Sequence, residues 1–188
     1  MGSLAWAGAI LAIDLLASPL GPRLSITSGA VASPANARRI GDELSFALPA
    51  VTLAVEFARR DLQGAAQFGT SFAATLLATE ALKRSLSVER PDGRDDLSFP
   101  SGHAARAFAA ATFVHRRHGL RPALPVYGLA TFVGYTRVRA NRHRWSDVIG
   151  SAAVAAASAW WLVDPKVPTL GVAFAPGQIL VQFQIPLR

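Results

Sequence analysis

This 188-residue chain contains no cysteine, and charged residues make up only 16% of it. Without cysteine there is neither a disulfide framework nor a thiolate metal site. The charge content lies well below the roughly 25% usual for soluble globular domains. Lysine is nearly missing: Lys83 and Lys166 are the only two, and every other cation is an arginine. Arginine's planar fork suits phosphate oxygens, which a lysine meets only as a point charge. Long uncharged apolar runs are missing too. The longest uncharged windows of helical character are Leu62–Thr79, Pro122–Thr136 and Val148–Val163. As a helix, fifteen residues such as Pro122–Thr136 reach only about 22 Å, short of the roughly 30 Å hydrocarbon core. No internal repeat or low-complexity linker divides the chain.

What is present is an apolar chain with its cations in one place. Hydrophobic residues make up 51%, and the mean hydropathy is +0.30. Between Lys83 and Asp147 there are twelve Lys/Arg against five Asp/Glu, which accounts for the whole net charge of +7. Outside that segment the two signs balance. A local excess of this kind reads as a binding site for an anion rather than as general solubility.

The alanine-rich apolar segments are helical in length, with helices expected at 4–17, 44–60, 63–86, 102–118, 122–138 and 146–163. Breaks are expected at Gly41-Asp42, Arg90-Pro91, Phe99-Pro100, Gly119 and Arg121-Pro122, among others. After Asp164 the pattern changes to TLGVAF, APGQ and ILVQFQI, where Pro176-Gly177 suits the centre of a type II turn. A short C-terminal β-hairpin is expected within 165–188. The expected fold is thus all-α: one domain over 1–188, an up-down bundle of five to six helices with its helical core at about 41–163. Up-down order brings the loops at 83–101 and 137–147 to one end, and those at 59–62 and 115–121 to the other.

Three clusters at the first of those ends carry chemistry. Pro100-Ser101-Gly102-His103 opens a helix: the serine can cap, the glycine lets a ligand approach the backbone, and the free N–H groups suit an anion. Taken alone, it also reads as a capped helix with an incidental histidine. His143 and Asp147, four apart, share a face if helical. The aspartate can then accept Nδ1–H and leave Nε2 as an outward lone pair, although an ordinary ion pair has the same spacing. Lys83, Arg90 and Arg137 converge at the same end, where three cations would suit the charge on a phosphoryl group's equatorial oxygens. Arg84, Arg94, Arg106, Arg139, Arg142 and Arg144 read mostly as solvated surface.

In order, the chain therefore presents Lys-x6-Arg-Pro, Pro-Ser-Gly-His and Arg-x5-His-x3-Asp. This resembles the three-part signature of the type 2 phosphatidic acid phosphatase superfamily, which includes bacterial acid phosphatases and vanadium haloperoxidases. One departure is mild: Thr136 stands where the third motif often has serine, and the hydroxyl is kept. The resemblance implies a metal-independent phosphatase acting on a phosphomonoester or pyrophosphate of a lipid or polyprenyl substrate: a phosphatidate, phosphatidylglycerophosphate, polyprenyl diphosphate or lipid A phosphate. It implies that His143 attacks phosphorus to form a phosphohistidine, that Asp147 orients it, and that His103 protonates the leaving oxygen. Lys83, Arg90 and Arg137, with Ser101 and the Gly102 amide, would cradle the phosphoryl oxygens. No metal and no cofactor is implied, since the cations take the place of a magnesium ion. His115, Arg116, Arg117 and His118 lie at the opposite end and receive no catalytic role.

Phe99 and Trp145 flank the motifs and suit either an acyl or prenyl chain or core packing. The arginines at 59–60 and 116–121 obey the positive-inside rule if their loops are cytoplasmic. The expected location is the bacterial inner membrane with the site facing the periplasm; a soluble periplasmic bundle is the alternative. The expected partner is a phosphorylated lipid or small phosphoester. Two other functions fit less of the pattern. A vanadate-dependent haloperoxidase would use the same pocket, but nothing signals a halide site. A non-enzymatic basic module for nucleic acid or anionic lipid is permitted by a pI near 11.2, but its cations would spread along one face instead of clustering around histidines.

Overall fold

The computed structural model describes residues 34–166, 169–175 and 178–184. Five helices follow one another: α1 (Pro34–Ala58), α2 (Leu62–Leu86), α3 (Gly102–His118), α4 (Leu120–Arg139) and α5 (Trp145–Leu162). The expected all-α bundle forms, and a two-stranded hairpin follows it. There β1 (Thr169–Ala175) pairs antiparallel with β2 (Gln178–Gln184), from Thr169 opposite Gln184 to Ala175 opposite Gln178. The helix expected at 4–17 and the turn expected at Pro176-Gly177 lie outside the described residues.

The middle of the bundle is α3, which touches all four other helices. Its sequence explains this position. Ala104, Ala105, Ala107, Ala109, Ala110 and Ala111 are all buried, so the helix has small side chains all round and no polar stripe to keep in water. Phe68, Phe113, Val126, Val133 and Val148 fill the space about it, with the Phe68 and Phe113 ring centroids 5.0 Å apart.

One expectation fails instructively. Gly41-Asp42 reads as a helix break, yet α1 runs straight through it from Pro34. The glycine is there for contact. A Cβ at Gly41 would collide with the Thr136 hydroxyl and come within 2.8 Å of an Arg137 guanidinium nitrogen. Glycine in a helix interior costs about 1 kcal/mol relative to alanine. Here that cost is offset by letting α1 and α4 approach closely enough for α1 to meet the cationic end of α4.

The end opposite the motifs is closed by a buried polar network. Arg117, at 1% exposure, donates Nε and NH2 to the two carboxylate oxygens of Asp61, both at 2.8 Å. Its NH1 reaches Gln67 Oε1 at 2.8 Å and the Asp164 carbonyl at 3.2 Å. Lys166 Nζ lies 2.6 Å from Asp61, and His118 Nε2 lies 2.8 Å from Glu56 Oε1. Burial alone would raise the Asp61 pKa, but hydrogen bonds from Lys166, the Gly64 amide and Arg117 hold it well below the usual carboxylate range. The network joins the end of α1, the start of α2, the end of α3 and the segment after α5.

Many large apolar side chains point outward, among them Leu62, Leu77, Ile149 and Trp161. Among the described residues, no helix is long and apolar enough to cross a membrane.

Candidate functional site

At the end where α2 and α4 finish and α3 and α5 begin, the three sequence clusters meet. The chain leaves α2 through Ser87, in the left-handed conformation at φ 44°. It then folds back so that Ser98 N donates to the Val88 carbonyl at 2.9 Å. This loop turns the Leu97 carbonyl toward both Lys83 Nζ, at 2.7 Å, and Arg90 NH2, at 3.3 Å. Asp95 holds Arg90 from the other side, its Oδ1 accepting Nε–H at 2.6 Å. Burial and the neighbouring Arg90 lower the Lys83 pKa to about 8.

His143 sits beneath Arg90, 4% exposed. Its Nε2 is 3.5 Å from Arg90 NH1, and its Nδ1 is 3.3 Å from Asp147 Oδ2. A guanidinium only donates, so Nε2 is the acceptor and Nδ1 carries the hydrogen. The spacing of four works, but not through a shared helical face. Helix α5 starts at Trp145, so His143 precedes it and Asp147 lies in its first turn. Asp147 Oδ2 gathers Ser98 Oγ at 2.5 Å and the Arg144 amide at 2.9 Å as well as the histidine. Burial would raise the Asp147 pKa, but these hydrogen bonds keep it low. Burial first, then Arg90 and Lys83, bring His143 down to about 4 against the pull of Asp147.

His103, in the first turn of α3, meets a partner that the motifs do not contain. Its Nε2 lies 2.9 Å from Asp42 Oδ1 on α1, and the same oxygen accepts Arg137 NH1 at 2.6 Å. Arg137 is further tied to the Arg38 carbonyl at 2.6 Å and to Thr136 Oγ1 at 3.2 Å. Thr136 thus does what its hydroxyl was kept for. Burial, then Arg137 and Arg106, lower the His103 pKa to about 4, while Asp42 opposes them. His143 acts on His103 as well, which joins the two halves of the site.

Ser101 and Gly102 complete the floor. Ser101 precedes α3 but does not cap it with its side chain. Its Oγ is buried and has no hydrogen-bond partner among the described residues, whereas its amide and carbonyl are fixed by the Asp147 carbonyl and Ser151 Oγ. A buried hydroxyl left unmade costs about 1–3 kcal/mol unless something else accepts its proton. At Gly102 an added Cβ would meet only Lys83 Cε, at 4.0 Å. Protein packing therefore does not require glycine there, and the space lies beside the cation. Every expected site residue (Lys83, Arg90, Ser101, Gly102, His103, Arg137, His143, Asp147) lies at this end.

Three contributors escape the motifs: Asp42, Ser98 and Asp95. Asp95 and Ser98 had a signal, since they stand among the polar residues between the first two clusters. Asp42 had only its charge, on a helix whose start was placed ten residues late. Arg106, against the expectation of a solvated surface residue, is half-buried and stacked 4.3 Å from the Phe46 ring centroid. Phe99 packs its ring on Gly150, whereas Trp145 is exposed.

A helical bundle with an anion cradle at one end, and two histidines each held by a carboxylate, defines a class of protein suited to acid–base chemistry on an anionic group. The chain belongs to the PAP2 superfamily, which matches residues 64–165, the stretch holding all the residues of the three motifs. It is similar to the lipid A 4′-phosphatase of Helicobacter pylori, 37% identical over 124 residues that cover 60% of this chain and 62% of that protein. It is 45% identical over 75 residues to the lipid A 1-phosphatase of Porphyromonas gingivalis, covering 38% of this chain and 17% of that protein. The chain thus spans less than two thirds of the length of either relative. The crystal structure of Aquifex aeolicus LpxE is similar in fold, with a TM-score of 0.54 and 20% identity, covering 68% of this chain and 92% of that one.

Proposed function

We propose that this protein is a phosphatase that removes a phosphate group from a phosphorylated lipid, with lipid A phosphates as the first class to test. Family membership and the lipid A phosphatases it is similar to support the substrate class. The observation that carries the chemistry is the state of His143, with Nδ1–H directed to Asp147 and an unprotonated Nε2 facing Arg90.

In this reading Nε2 of His143 attacks phosphorus, and the bond from phosphorus to the ester oxygen breaks. The leaving oxygen takes a proton from His103. With its Nε2–H held by Asp42, His103 carries the transferable proton on Nδ1. Water then attacks the phosphohistidine, His103 accepts a proton from it, and the P–N bond breaks to release phosphate. Lys83, Arg90 and Arg137, with the Ser101 hydroxyl and the Gly102 amide, offset charge on the equatorial oxygens. The low pKa of His143 keeps the nucleophile neutral at pH 7. A substrate dianion entering among these cations raises His103 toward the protonated form its first step needs.

The protein works at a membrane of the bacterial cell envelope, where its outward apolar side chains meet lipid. Inner-membrane association with the site on the periplasmic side is supported by the arginines at 59–60 and 116–121, which lie at the far end of the bundle. The test is phosphate release, with EDTA present, from an aryl phosphate, a short-chain phosphatidate, a polyprenyl diphosphate and a lipid A phosphate. Release by the wild type that disappears in His143→Ala is expected. Equal release by both proteins overturns the mechanism.

A further inference from the structure

The mechanism gives no role to Arg106. Arg106 lies three residues past His103, on the same side of α3 and about 4.5 Å further along it. Ser45 and Phe46 stand in the same relation to Asp42 on α1. The contact between α1 and α3 therefore has two layers. The first pairs His103 with Asp42; the second pairs Arg106 with Ser45 and Phe46.

The second layer is incompletely made. Arg106 Nε is buried without a hydrogen-bond partner among the described residues, and the bond from NH2 to Ser45 Oγ is long at 3.4 Å. That hydroxyl is itself committed to the Asp42 carbonyl, at 2.8 Å. Among the described residues no carboxylate lies within 4.0 Å of Arg106; the nearby Asp42 is taken by His103 and Arg137. Phe46 holds the guanidinium by its ring face, a contact that leaves the in-plane N–H groups to other acceptors. Phe46 is 61% exposed, so this layer opens outward between the helices. A half-buried guanidinium held in place but unpaired is costly as an ornament and economical as a receptor.

Resting on the phosphatase reading above, we infer that Arg106, braced by Phe46, is a specificity residue that binds a second anionic group on the substrate's leaving portion. The direction follows from the assigned roles. His103 protonates the leaving oxygen, so the leaving portion extends past His103, and the next side chain it meets along α3 is Arg106. A phosphate or carboxylate a few bonds from the scissile ester would fill the guanidinium's open donors. A leaving group without an anion would leave them unmade.

The test compares hexyl phosphate with a series of α,ω-alkanediol bisphosphates of three to eight carbons. The wild type, Arg106→Met and Arg106→Lys would be assayed, with EDTA present. The wild type is expected to favour one length of bisphosphate by about 10-fold or more in kcat/KM. Arg106→Met should erase that preference while keeping hexyl phosphate turnover within about threefold, and Arg106→Lys should restore part of it. A preference unchanged in Arg106→Met overturns the inference. So does a loss of the same size on both substrate types, which would mark Arg106 as a residue acting on His103 or on folding. If the wild type releases no phosphate at all, the phosphatase reading fails, and calorimetry still decides this one. The wild type should then bind an alkane bisphosphonate more tightly than the matching monophosphonate, and Arg106→Met should not.

Discussion

Replacing Asp42 with asparagine keeps its shape and its acceptor oxygen but removes the charge shared by His103 and Arg137. Two unit charges about 4 Å apart interact by roughly 4 kcal/mol at an effective dielectric near 20. Asp42 is 40% exposed, so solvent reduces this to about 1–2 kcal/mol, or about one pH unit on His103. Asp42 opposes the lowering of the His103 pKa, while Arg137 and Arg106 drive it. The variant's histidine is therefore pushed further down and holds its proton in about 10-fold fewer molecules at neutral pH. The expected result is a kcat about 10-fold lower at pH 7, a deficit that narrows only as the pH falls toward the pKa of His103. The loss should be larger for alkyl phosphates, whose leaving oxygen needs the proton, than for a nitrophenyl phosphate, whose leaving group departs without it. A loss constant across pH and leaving group would refute the reasoning and reduce Asp42 to a brace for Arg137. No loss at all would remove Asp42 from the site.

The pH range of activity follows from three lowered pKa values. His143, at about 4, stays an unprotonated nucleophile well below the ordinary histidine range; His103, also at about 4, loses its proton as the pH rises; and Lys83, at about 8, loses its charge early. Once the substrate's own ionisation is allowed for, kcat/KM should fall below about pH 4, decline above it as His103 deprotonates, and drop more steeply above about pH 8, a limb that Lys83→Arg should move to higher pH. The folded state resists protonation of both site histidines, while the unfolded chain takes up protons below pH 6.5. Stability measured by urea denaturation should therefore decline as the pH drops from 6.5 through 4. Gly41→Ala forces a methyl group onto Thr136 and Arg137 and should cost about 1–3 kcal/mol, with weaker inhibition by inorganic phosphate as Arg137 is displaced. Arg117→Met leaves Asp61 with Lys166 and Glu56 with His118 but removes the buried guanidinium near both, and should cost about 3 kcal/mol in the same denaturation assay, while adding Asp61→Asn should recover part of the loss.

The bundle and the first rank of the site were legible because both depend on local pattern. Helical periods and turn residues placed α2 to α5 within a few residues, and the up-down order alone brought Lys83, His103 and His143 to one end. What escaped depends on contacts between helices. Gly41 reads as a break in isolation and as a close-approach residue only beside Thr136. Asp42 gains its role when α4 delivers Arg137 to it, 95 residues away. His143 and Asp147 do meet, but their contact is made by the first turn of α5, because Arg144 starts the helix after the histidine. Arg117 looks like one more surface arginine in HRRH until Asp61 covers it.

Helix α3 is pinned at both ends, to the anion site through Ser101 and His103 and to the far network through Arg117 and His118. Its seventeen residues reach about 25 Å, and so it works as a strut of set length between two anchored joints. A sideways shift or a twist of α3 would have to break one joint to keep the other. The distance from His103 to His143 is therefore held partly by ion pairs at the remote end of the molecule. Loosening Arg117 should blur the alignment of the site even though no atom of that network touches it.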